Sequence, residues 1–274
     1  MDGSQQFIAE SLYLPEDRKP VMITETMVNY FEYMIDSNDD GTADAGGAGF
    51  ASKLVVDENG DIKAEYVDIN SQTHVGNYDL VPILEDFIKE HPDFVYQGAR
   101  ATLAVTGSEG IFGYRCTTAY NQSRGTQYYD EQVAGAKKIV EALRNKGYTL
   151  ACFTYGNSDY SQYTANQIQQ DLADWTQQIK PIIGDVNILV YARTADINDY
   201  SGTKFNVMST SGFRYFVSNA KEPWAEINTN YVRQKRLMVT GENMAWYSSM
   251  FTDRGLFDPN MVLDATNRGN VPKS

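Results

Sequence analysis

The chain has 274 residues, a length normal for one α/β barrel and enough to bury roughly three quarters of its unfolded surface. With 36 acidic against 23 basic residues its net charge is -13, which works against counterion-release binding to nucleic acid and against anionic membrane surfaces. No apolar run approaches the roughly 18 residues of a membrane span, so neither nucleic acid nor a membrane is an expected partner.

In chain order, four short β-prone runs stand out: VMITET at 21–26, ATLAVTG at 101–107, TLACFTYG at 149–156 and NILVYAR at 187–193. Helical spacing of apolar residues lies between them, in Leu80, Leu84, Phe87 and Ile88, then Val133, Ala136, Val140 and Leu143, then Ile168, Leu172, Trp175 and Ile179. Start signals agree: Asp79 can cap the first helix, and Thr164 with Gln167 forms a T-x-x-Q capping box for the third. Strand alternating with amphipathic helix predicts a parallel sheet with helices outside and a functional site at the strand C-terminal ends.

Residues 50–56 and 62–67 alternate around Glu58-Asn59-Gly60-Asp61, which predicts a β-hairpin decorating the barrel from outside. Residues 228–239 read as a further strand and 242–251 as a closing helix. With no repeat and no linker, the expectation is one domain over 1–274, with an acidic loop and the hairpin inserted at about 36–68. Two cysteines, Cys116 and Cys152, are too few for a disulfide framework; two buried thiols and one disulfide are both open. The 19 Tyr, 12 Phe and 3 Trp suit both a core and a sugar-stacking surface.

One constellation is local. Asp36, Asn38, Asp40, Thr42 and Asp44, with Gly41 at the sharp turn, place oxygen donors as the front half of an EF-hand-type calcium loop. Gly47 stands where the bidentate Glu belongs, so calcium binding there is expected to be weak, and a solvated acidic loop is the competing reading. His74 and His91 are the only histidines, one in a polar loop and one in a helix-ending His-Pro-Asp, so neither sits where a two-His metal site could form at a strand end.

The segments ITETMVNYFEYM, FASKLVVDENGDIKAEYVD, YDLVPILEDFIKEHPDFVYQGARATLAVTG, GIFGYR, AKKIVEALRNKGYTLACFTYGN and ILVYARTADI resemble a bacterial branch of the polysaccharide deacetylase family, the chitooligosaccharide and peptidoglycan deacetylases, over about 21–196. The resemblance implies a distorted (β/α)7 barrel with a substrate groove at the strand C-termini. Its chemistry uses an Asp base and an Asp-His-His metal site that activates water. Here Thr26 and Met27 stand at the Asp-Asp positions, and Phe153 and Asn157 at the two His positions, so no transition metal is expected in the barrel. Arg115 matches an Arg that orients an active-site carboxylate, with Glu25 or Asp196 as the candidate partner.

Three readings of function follow. The first is a catalytically inactive, carbohydrate-associated protein that holds a polysaccharide or cell-wall glycan at a mouth lined by Tyr114, Phe153, Tyr155, Tyr191, Arg193 and Arg115. Filling of the vacated site by those rings is the bland alternative. The second is a hydrolase, either a deacetylase or a metal-independent enzyme using Glu25 with Asp196 or Asp199 as acid and base. The third is a structural envelope-interaction protein. The resemblance implies an extracellular or envelope location, while the start MDGSQQ has neither the basic nor the apolar region of a secretory signal.

Overall fold

The computed structural model describes residues 12–32 and 50–264. The candidate calcium ligands Asp36, Asn38, Asp40, Thr42 and Asp44 lie outside them.

Strands β1 (Thr24–Thr26), β5 (Thr102–Val105), β6 (Thr149–Cys152), β7 (Ile188–Val190), β8 (Tyr215–Asn219), β10 (Val232–Arg236) and β9 (Trp224–Ile227) form one sheet in that order. Every neighbouring pair is parallel except β9 with β10. Between these strands run α1 (Leu80–Glu90), α2 (Thr118–Arg124), α3 (Thr126–Lys146), α4 (Ala165–Gln178), α5 (Lys180–Ile183) and α6 (Thr203–Thr210), and the chain ends in short helices α7 (Gly241–Trp246), α8 (Ser249–Thr252) and α9 (Pro259–Val262). The expected caps are present: Asp79 accepts from Leu80 N, and Thr164 and Gln167 close a reciprocal capping box.

Alternation within the strands divides the core. Leu103, Val105, Leu150, Cys152, Leu189 and Phe216 face the helices, while Ala104, Ala151, Phe153, Val190, Ala192 and Val217 form a separate cluster on the concave face. Alanines at three of those six positions suit a sheet that curls tightly upon itself. The curl brings Arg236 at the end of β10 to within 3.1 Å of the Thr24 carbonyl on β1. No ladder joins β1 to β9 among the described residues, so the fold is α/β with a curled half-barrel, coarser than the expected (β/α)7 barrel.

The hairpin differs from expectation. Strands β2 (Ala51–Val56) and β3 (Ile62–Val67) pair around the Gly60 turn, and a third strand, β4 (Thr73–Gly76), extends them. Leu54, Ile62 and Ala64 are at most 1% exposed and belong to the same cluster as Val81 and Leu84 of α1 and Ala136, Ile139 and Leu143 of α3. The hairpin is therefore part of the main core, because its alternating apolar face has two helices to bury against. Leu54→Ala is expected to lower stability by about 3 kcal/mol in denaturant unfolding, the range for a buried leucine. A loss below about 1 kcal/mol would return the hairpin to the status of a decoration. Cys116 and Cys152 are both buried free thiols, and burial pushes Cys116 up to about 11.

Candidate functional site

The ends of the parallel strands carry a conformational signature. Non-glycine residues adopt left-handed backbone at Met27 (φ 61°) and Tyr30 (φ 52°) after β1, Phe112 (φ 56°) after β5, Thr154 (φ 60°) and Asn157 (φ 53°) after β6, and Arg193 (φ 55°) and Asn198 (φ 60°) after β7. Such residues cost about 1 kcal/mol or more each, most for a β-branched side chain such as Thr154, and persist where surrounding bonds over-determine them. The carboxyl end of a parallel sheet is also where α/β folds place ligands.

Those surrounding bonds are dense. Met27 N donates to Ala104 O at 2.9 Å. The fully buried Asn29 donates from Nδ2 to Thr106 O at 2.9 Å and to Gly110 O, and accepts from Thr106 N at 3.1 Å, which ties the loops after β1 and β5 together. Asp171 of α4 accepts from Tyr155 N, Gly156 N, Ser158 Oγ and the Tyr160 hydroxyl at 2.7 to 2.9 Å and so fixes the loop after β6. Asn29 is among the residues that match the resembled family, without a role assigned to it; Asp171 is not singled out by the sequence, and the signal that finds it is a polar residue on the apolar face of Ile168, Leu172 and Trp175.

Thr26, Met27, Phe153 and Asn157 all fall at this end, on β1 and β6 with β5 between, so the two strands are roughly 10 Å apart. Thr26 is half-buried opposite Ala104, and Met27 is 38% exposed. Phe153 is 6% exposed and packs in the concave cluster, and Asn157 is half-buried.

The proposed aromatic lining divides. Tyr191 is 1% exposed, on the helix side, with its hydroxyl 2.8 Å from that of Tyr200. Tyr114 reaches away to the Leu54 carbonyl at 3.1 Å and packs on Gly135, where an added Cβ would stand 2.2 Å from its ring. Tyr155 is half-buried over Gly107, where again a Cβ would come within 2.2 Å of the ring, and it packs on the helix-side cluster and not on the concave face. Arg193 is exposed at the end of β7.

Arg115 has other partners than expected. It is 4% exposed, donates to the carbonyls of Asn29, Tyr30 and Glu109, and pairs with Glu32 at 3.5 Å and Glu109 at 3.7 Å. Glu25 and Asp196 take no part, because the loop after β1 turns back over Arg115 and supplies its own carboxylate. Arg115 is a clamp between two loops.

Glu25 and Asp196 belong to separate clusters. Glu25 neighbours Leu103 in register, so its side chain faces the helix layer, beside Asp79 and Tyr30. Burial first, and then the Asp79 charge, push its carboxyl up to about 8. Asp196 accepts from Arg233 Nη2 at 3.0 Å and Asn198 N at 2.9 Å, while Asp199 is tied to Ser201. Among the described residues Glu25 and Asp196 share no partner.

At the same end the concave face carries Arg236 and Asn219, last residues of β10 and β8, paired in register. Arg236 Nε donates to Asn219 Oδ1 at 2.9 Å. His74 and His91 lie elsewhere, His74 on Asp68 and stacked on Tyr66, His91 against Phe87. A cleft of about 570 Å³, lined by Trp175, Lys180, Asp185, Asn187 and Phe213 among others, opens at the opposite, N-terminal end of β7. Among the described residues no three His, Cys, Asp or Glu side chains group to hold a metal ion, and no helix is long and apolar enough to cross a membrane.

No family model matches the chain, and no curated protein does. Among solved structures, a Mycobacterium smegmatis protein described as a "putative polysaccharide deacetylase" is similar at 10% identity and a TM-score of 0.38, over 66% of this chain and 59% of that one. The match therefore spans less than two thirds of that protein.

Proposed function

We propose that this chain is a non-catalytic, carbohydrate-associated protein with a deacetylase-type barrel, holding a polysaccharide or cell-wall glycan at the C-terminal mouth of its sheet. The observation that carries this is the identity of four residues at that mouth: Thr26, Met27, Phe153 and Asn157 where the resembled family needs two carboxylates and two imidazoles. A threonine hydroxyl is a poor base at neutral pH, a thioether suits soft copper(I), phenylalanine has no donor atom, and asparagine offers one neutral carbonyl oxygen. Without a metal to activate water, the nucleophile of that reaction is missing. Binding remains within the means of the mouth, through the exposed Arg193, the half-buried Asn157, and Met27.

A hydrolase reading draws on the raised carboxyl of Glu25, but that group faces α1 and not the mouth. The test is direct. The purified protein is expected to bind oligosaccharides on a glycan array, to hold no stoichiometric zinc, and to release no acetate from acetylated chitooligosaccharide, peptidoglycan or xylan. Stoichiometric zinc with chelator-sensitive acetate release would overturn the proposal. The converse variant, Thr26→Asp, Met27→Asp, Phe153→His and Asn157→His together, is expected to gain metal binding. A folded variant that binds none would show that these four positions do not converge.

A further inference from the structure

Arg236, like Arg144, Arg193 and Arg214, has no carboxylate within 4.0 Å among the described residues, but it alone of these four bridges the gap between β10 and β1, through the Thr24 carbonyl. Most arginines here are paired: Arg18 with Asp93, Arg100 with Glu85, Arg115 and Arg124 with Glu32, Arg233 with Asp196 and Glu226, and Arg254 with Glu222. Arg236 has instead two neutral acceptors, Asn219 Oδ1 at 2.9 Å and the Thr24 carbonyl at 3.1 Å. These use Nε and one Nη1 proton of a guanidinium that has five N–H donors, so among the described residues three donors remain without a partner, including both on Nη2.

Its place is as informative as its partners. Val217, two residues before Asn219 on β8, belongs to the concave cluster, and the register pairs Gln234 with Val217 and Arg236 with Asn219. Period-two alternation therefore puts Arg236, Asn219 and Gln234 on the concave face, at the strand ends where the mouth lies. The bond to Thr24 anchors the guanidinium across the gap between β10 and β1, so the remaining donors are held in a fixed orientation. Burial in those surroundings also pulls Arg236 down to about 10, the signature of a cation that has lost water and gained no counter-charge.

A half-buried, pre-oriented guanidinium with three free donors is a receptor for a planar oxyanion, and a carboxylate matches its fork with two parallel hydrogen bonds. We propose that Arg236, supported by Asn219, recognises the carboxylate of an acidic sugar, so that the glycan taken at the mouth is of the uronic-acid class. This rests on the glycan-binding proposal above and names its ligand class. The net charge of -13 does not oppose it at working salt: exposed charges are screened beyond about 8 Å at 0.15 M, whereas a half-buried contact is screened much less.

The probe is an oligogalacturonate of defined length and its full methyl ester, titrated into the intact protein, with a neutral xylo-oligosaccharide as reference. The acid is expected to bind about tenfold or more tighter than the ester, with the preference largely kept as salt is raised to about 0.15 M. Arg236→Gln is expected to abolish that preference, the affinity for the acid falling to about that for the ester. Arg236→Lys, which keeps the charge and loses the fork, should recover part of it. Equal binding of acid and ester, or a preference unchanged in Arg236→Gln, overturns the assignment. Binding of the neutral oligosaccharide without the acid overturns it while the glycan-binding proposal stands. Absence of binding by all three overturns both. If Arg236→Gln fails to fold, the acid-against-ester comparison on the unmodified protein still decides.

Discussion

Replacing Glu25 with glutamine is expected to stabilise the protein at pH 9 by up to about 4 kcal/mol and to leave it unchanged at pH 4. The side chain sits between β1 and α1 beside Asp79, whose carboxylate is already engaged, one oxygen accepting from Leu80 N and the other from the Tyr30 hydroxyl. Nearby Glu85 is compensated by Arg100 at 2.9 Å and Lys146 at 3.6 Å, and Tyr148 contributes no charge of opposite sign. Among the described residues Glu25 Oε2 has no hydrogen-bond partner, and two carboxylates can share a hydrogen bond only through a proton. Burial, and then the Asp79 charge, push Glu25 from 4.5 to about 8 in the folded protein. Between those values the folded state binds one proton more than the unfolded chain, so stability is full below pH 4.5 and falls as pH rises through about 8, with a slope approaching 1.4 kcal/mol per unit. Glutamine keeps the shape, supplies a donor for Asp79 and has no proton to lose. Urea unfolding of both proteins from pH 4 to pH 9 checks this. Parallel curves would place the carboxyl in solvent, against the packing described.

The sheet and its capped helices were legible because their signals are local. Asp79 before Leu80 and the Thr164–Gln167 box are satisfied within one turn, and runs such as TLAV and TLAC have few alternatives to a buried parallel strand. Elements whose reason is tertiary were not legible. Strand β4 (THVG) has no apolar face of its own and exists as the third strand of the hairpin sheet, and α6 (TKFNVMST) is held by Phe205 and Met208 alone among its buried residues. At the site, sequence placed Thr26, Met27, Phe153 and Asn157 at strand ends. It could not announce the left-handed backbone there, since Met27 and Thr154 are not residues that favour it. Tyr114 and Tyr191 were assigned to the mouth on chemistry, but strand parity sends Tyr191 to the opposite face from Val190, and Gly135 opens a seat for Tyr114. Arg236 escaped notice because VRQKR reads as a polar edge, and the absence of a carboxylate partner is a property of the folded surroundings.

Asp171→Ala is expected to lower stability by about 4 kcal/mol and to release the loop after β6, while Asp171→Asn loses about half as much. One carboxylate there accepts four hydrogen bonds, from Tyr155 N, Gly156 N, Ser158 Oγ and the Tyr160 hydroxyl. Tyr160 is 0% exposed, Ser158 6% and Asp171 8%, so water has poor access to replace what is removed. An unsatisfied buried donor costs about 1–3 kcal/mol, and the sum over four overshoots because the freed loop can relax toward solvent. Relaxation has its own consequence: Thr154 keeps its left-handed backbone (φ 60°) partly because Tyr155 and Gly156 are anchored to α4, and without the anchor that conformation has less to hold it. Asparagine keeps one acceptor oxygen and turns an amide toward donors, so it retains part of the network and no more. Amide hydrogen exchange separates a loop effect from general loss of stability. Protection at Tyr155, Gly156 and Ser158 should fall in both variants by more than protection in β5, where Leu103 and Ala104 lie in the middle of the sheet. A uniform loss across loop and sheet would mean that Asp171 supports the fold as a whole and does not set the geometry of the mouth. A loss below about 1 kcal/mol would mean that the four donors find other partners.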